Sequence, residues 1–124
     1  MEEKYHSRCQ LIAGSFAAGF LAADELAHLQ KIPSNEPEWR AIESAKEKLA
    51  KSFEAVQPEL NGDLGTVTAV EFSIHMKQIE KGLSHNDISE VRIGANKLQE
   101  MMLRDGLIAI AHECGGDLPK GGKQ

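Results

Sequence analysis

Residues 66–83, TVTAVEFSIHMKQIEKGL, decide the fold. Val70, Phe72, Ile74 and Met76 alternate with Glu71, Ser73, His75 and Lys77, the two-residue period of a half-buried strand. The same stretch carries Phe72, Met76, Ile79 and Leu83 at helical spacing, with Thr68 and Glu71 placed as a capping box. A strand needs partners. The only other candidate is 107–110, LIAI, and a lone two-stranded sheet is marginal in water. The helix is therefore expected and the chain reads as all-α, with an α+β fold as the alternative if 66–77 is a strand.

The flanking segments fit a helical chain. Upstream, Asn61-Gly62-Asp63-Leu64-Gly65 has the chemistry of a loop. Before it, Asn35-Glu36-Pro37-Glu38 opens a helix with Asn35 as cap and Pro37 in the first turn. Trp39, Ile42, Leu49, Phe53 and Val56 form its stripe, and Gln57-Pro58 ends it. At the front of the chain, Ser7 and Gln10 fit a capping box for a helix running to about Gln30. Ile12, Phe16, Ala23 and Leu26 stripe that helix. Ala13, Gly14, Ala17, Ala18 and Gly19 surround the stripe with small residues, so an apolar surface nearly all round marks the helix as central.

Downstream, Ser84 is placed to cap a last helix, with Asp87 three residues on and Leu83 able to staple Ile88. Val91, Ala95, Leu98 and Met102 stripe it. The apolar phase then shifts to Leu103, Leu107 and Ile110 around Arg104-Asp105-Gly106, which predicts a kink or break. Gly115-Gly116 stops it. Four helices with short loops make an up-down-up-down bundle, expected as one domain over 1–116 with a flexible tail at 117–124.

Size and charge limit the function. A chain of 124 residues and 13.6 kDa holds one core. Its 14 basic residues are scattered among 19 acidic ones for a net charge of −5, so no stripe meets a nucleic-acid backbone. Residues 11–23, LIAGSFAAGFLAA, are too short for a membrane span, which needs about 20 apolar residues. Glu2 and Glu3 offset Lys4 and Arg8, which is the wrong front end for a signal peptide. Two cysteines are too few for a disulfide framework, and a cytoplasmic protein is expected.

Three constellations could carry chemistry. His6, Cys9, His112 and Cys114 are the ligand types of structural zinc, and the bundle topology brings the two helix ends to one level. The same geometry permits a Cys9–Cys114 disulfide, although buried packing is the ordinary fate of such cysteines. Cys9 in a first helical turn beside Arg8 and His6 also fits a reactive thiol, with no third residue to orient the histidine. Glu25 and His28 have the E-x-x-H spacing of di-metal bundles, for which Glu71 and His75, four apart, are the nearest counterpart.

No catalytic constellation is complete and no cofactor is required. The expectation is a non-enzymatic protein that binds another protein as an adaptor, inhibitor or regulatory subunit, and forms a homodimer. The shared surface is expected at Trp39, Ile42, Leu49 and Phe53, or in the region 98–107 with Leu98, Met101 and Met102. A metal-binding bundle is one alternative. A small-molecule binding protein with Gly14 and Gly19 as pocket wall is another.

Overall fold

A computed structural model of the chain describes residues 2–60 and 62–114, with side chains from Ser7 onward. They form four helices, α1 (Glu2–Ala27), α2 (Glu36–Val56), α3 (Gly62–Ser84) and α4 (Ile88–Glu113), with a 3-10 turn at Gln57–Glu59 after α2. There is no strand among the described residues. Helix α1 packs on α2 and α4, and α4 packs on α3. Cys9 meets Cys114 and Asp24 meets Gln99, so α1 and α4 run antiparallel with their ends level.

The strand-like alternation in 66–83 has a simple origin. Phe72, Met76, Ile79 and Leu83 face the interior, whereas Val70 and Ile74 are exposed on the opposite side of the same helix. Apolar residues on both sides of a helix produce a spurious period of two.

Local chemistry sets the boundaries. Asn35 caps α2, its side-chain oxygen accepting from the Glu38 amide at 2.9 Å, and the Glu38 carboxylate accepts from the Ser34 amide at 2.8 Å. Pro58 sits inside the 3-10 turn, where its missing N–H costs nothing. Three boundaries differ from expectation. Helix α1 begins at Glu2, ahead of Ser7, and ends at Ala27, short of Gln30. Helix α3 begins at Gly62, whose φ of +48° suits glycine, so most of the expected loop is its first turn. Ser84 closes α3, its hydroxyl donating to the Lys81 carbonyl. Asp87 is the cap of α4 and accepts from the Glu90 amide at 3.2 Å.

The apolar phase shift in α4 does not break it, because the helix is continuous through Arg104-Asp105-Gly106. The shift reflects two neighbours. Met102 and Gly106 face α1, whereas Gly94 and Asp105 face α3. The stop at Gly115-Gly116 and the tail at 117–124 lie outside the described residues.

Ile12, Leu26, Leu49, Ile79, Leu98, Met101 and Met102 are fully buried at the centre. Each such side chain contributes about 1.5–3 kcal/mol. Between α2 and α3 the stacked rings of Phe53 and Phe72 span the gap at 4.5 Å, and Lys46 reaches Glu80 at 3.7 Å.

Candidate interaction surface

The residues of α1 around 9–23 carry no charge, yet the helix is covered on only two sides. Its apolar circumference is not that of a central helix. Leu11, Gly14, Ala17, Ala18 and Leu21 are exposed on the uncovered side. Helix α4 adds Leu103 and Leu107, so that Leu21, Leu103 and Leu107 are 64%, 57% and 60% exposed. Between these leucines runs an open groove of about 490 Å³, with Ala13, Phe16, Phe20, Met102, Gly106 and Ile110 among its lining residues.

Close contacts fix the width of the groove. The Phe16 ring lies 3.1 Å from the point a Gly106 side chain would occupy, and the Met102 thioether fills the equivalent space at Gly19, 2.8 Å away. At one end Cys9 and Cys114 are joined by a disulfide with a Cα separation of 6.0 Å. Over that end, Arg8 donates to the Glu59 carboxylate at 2.7 Å, the Glu59 carbonyl at 2.9 Å and Glu113 at 2.8 Å. These carboxylates raise the Arg8 pKa, Glu113 more than Glu59. At the other end the Gln99 amide donates to Asp24 at 2.9 Å, with Glu25 and Glu100 exposed nearby on their helices.

The disulfide corrects the reading of Cys9 and Cys114 as packing residues. Neither sulfur is a thiol, so neither the reactive thiol at Cys9 nor the zinc set can form with the bridge in place. The His6 side chain lies outside the described residues, and His112 is exposed. The di-metal set is not assembled either. Glu25 on α1 and His28 just after its end are exposed, and Glu71 and His75 lie on α3, which is not a packing neighbour of α1. Among the described residues no three His, Cys, Asp or Glu side chains are grouped to hold a metal.

The expected shared surface is mostly core. Ile42, Leu49, Phe53, Leu98, Met101 and Met102 are buried and Trp39 is half-buried against them. Within 98–107 it is Leu103 and Leu107, from the shifted phase, that reach the surface. Gly19 is enclosed by Met102 and Ser52 and is no pocket wall, whereas Gly14 lines a shallow hollow with Ser15, Ala18, Lys48 and Lys51.

A second cluster lies between α3 and α4. Thr68 is completely buried in α3 and donates to Asp105 at 2.9 Å. Asp105, itself 2% exposed, also accepts from Arg104, which turns its other edge to Glu71. Asp105 and Glu71 raise the Arg104 pKa further, Asp105 contributing most. One turn on, Nδ1 of His75 is buried without a hydrogen-bond partner. Burial lowers the His75 pKa, aided by the cations of Lys97 and Arg104 and opposed by Glu71 and Glu100. This arrangement is suited to fixing helix register, because each polar group inside it has a protein partner except that nitrogen.

No helix among the described residues is long and apolar enough to cross a membrane. Comparison of the chain with models of protein families, with curated proteins and with solved structures finds no significant match.

Proposed function

We propose that this protein works by binding another protein through the outer face of α1 and α4, as an adaptor, inhibitor or regulatory subunit. The observation that carries this reading is the placement of Leu21, Leu103 and Leu107. All three are more than half exposed around one groove rather than scattered singly. The floor of the groove is held rigidly by the Phe16–Gly106 contact, which favours recognition without reorganisation. The buried Thr68–Asp105 pair belongs to the scaffold that presents it.

The disulfide supports a site of action in an oxidising compartment, where such bonds persist, in place of the expected cytoplasm. A photo-cross-linking residue placed at Leu107 in the cell of origin tests the binding reading. An adduct at 107, with none at the exposed α3 position Val70, is expected. The mass of the adduct tells a second copy of this chain, which is the homodimer, from a different protein. Adducts at neither position, or only at 70, would overturn the assignment of this face.

A further inference from the structure

We infer that Arg8 is a latch on the Cys9–Cys114 disulfide, so that a dithiol reductant reaches the bond only when the guanidinium releases Glu113. The device is independent of the binding face. Both half-cystines are buried, Cys9 at 2% and Cys114 at 5% exposure. A thiolate cleaves a disulfide by direct attack on one sulfur, which therefore has to be accessible. Reduction of the folded protein requires the start of α1 and the end of α4 to part.

The contacts that oppose this parting belong to the neighbours of the cysteines in sequence. Arg8 precedes Cys9, and Glu113 precedes Cys114. Their side chains meet at 2.8 Å, so an ion pair crosses the same helix junction as the covalent bond. Arg8 donates also to the Glu59 carboxylate at 2.7 Å and to the Glu59 carbonyl at 2.9 Å, which ties the turn after α2 to the junction. The Cys9 sulfur itself lies 3.8 Å from the Glu113 carbonyl. Arg8 is only partly exposed and the Glu113 side chain is nearly buried, unlike the solvated Arg40–Glu36 pair on α2. A charge-assisted contact shared among three acceptors and partly out of water is far stronger than such a surface pair.

Two ties across one junction are thermodynamically linked. With Arg8 latched, the two thiols of the reduced protein stay close and their effective concentration is high. The latch therefore favours the oxidised state by the same factor as the bond favours the latch. A dithiol carrier attacks one sulfur, forms a mixed disulfide and leaves as its own disulfide. Two electrons and two protons pass to the protein, which is left with two thiols. The latch slows the first attack and draws the equilibrium back toward the bridge.

The test uses the full folded chain. Its rate of reduction by excess dithiothreitol is followed by alkylation and mass spectrometry, and its equilibrium is measured in glutathione buffers. Arg8→Met is expected to speed reduction and to lower the equilibrium constant for the bridge, each by about tenfold, the worth of one charge-assisted hydrogen bond. Glu113→Gln should shift both in the same direction by about threefold, and Arg8→Lys should recover part of the loss. Arg40→Met, which breaks an exposed pair elsewhere, should change neither. Rates and constants in Arg8→Met equal to those of the unsubstituted chain overturn the latch. So does a reduction rate that climbs with urea as steeply as global unfolding does, because the opening is then not local. If Arg8→Met does not fold, Glu113→Gln and Arg8→Lys decide, and no shift in either refutes the inference.

Discussion

A methyl group on Gly82 would lie 2.7 Å from the backbone nitrogen of Val91. Helices α3 and α4 meet at that point as bare backbone, directly after the turn at Ser84–Asp87 where the Asp87 amide donates to the Gly82 carbonyl at 2.8 Å. Few residues other than glycine fit where the obstructing atom cannot swing away.

Gly82→Ala is accordingly expected to destabilise the bundle. Alanine recovers about 1 kcal/mol of helix propensity. Forcing α4 off α3 costs about 1–3 kcal/mol or more. Urea denaturation should show a net loss of about 1–2 kcal/mol, and an unchanged midpoint would mean that the helices are further apart than described. Gly14→Ala is the contrast. Nothing lies within 4 Å of the added methyl, so a gain of a few tenths to about 1 kcal/mol is expected.

Reducing the Cys9–Cys114 bond should destabilise the fold considerably, because the bond closes a loop of sequence separation 105. A loop of about 100 residues corresponds to about 4.7 kcal/mol in the chain-entropy account, and measured losses run from about 2 to 5 kcal/mol. Thiol titration of the unfolded protein without reductant should find no free cysteine. Two reactive thiols there would refute the bridge.

Thr68→Val removes one donor to Asp105 and is expected to cost about 1–2 kcal/mol. Asp105→Ala should cost more, about 3 kcal/mol, because it strands both Thr68 and Arg104, although Arg104 is half exposed and can regain water. A double-mutant cycle should give a coupling of at least about 0.5 kcal/mol. Strict additivity would mean that the two residues do not act as one unit.

His75 makes stability pH-dependent in a defined direction. Burial holds its folded pKa below the ordinary 6.5, so the unfolded chain binds its proton first as pH falls. The neutral histidine's contribution is complete above pH 6.5 and is lost as pH falls toward the folded value. His75→Gln should flatten the stability profile in that window while leaving the slope due to the carboxylates below it. A profile as steep as that of the unsubstituted protein would assign the pH dependence elsewhere.

The helical class was readable from Asn35, Pro37 and the Phe72, Met76, Ile79, Leu83 spacing, because caps and periodicity are local physics. Which side of a helix stays uncovered was not. Leu98 and Leu107 lie in one helix, yet one is fully buried and the other faces out, and only the placement of α1 against α4 decides between them. The helix-end pairing was legible as a possibility, since a bundle levels the start of α1 with the end of α4. Whether it became a ligand set or a bond depended on a separation of 6.0 Å that spacing in sequence does not encode. Ser84 failed as a cap because Asn86, at φ +59°, carries the chain through a tight turn before Asp87 opens the helix.

The bridge from residue 9 to residue 114 also changes how the protein meets mechanical load. Tension applied at the two chain ends would run through one sulfur–sulfur bond and bypass the helices between them. Joined to other domains at both termini, the oxidised segment from Cys9 to Cys114 would behave as an inextensible link of fixed length. Only after reduction could the pulled chain pay out its hidden length.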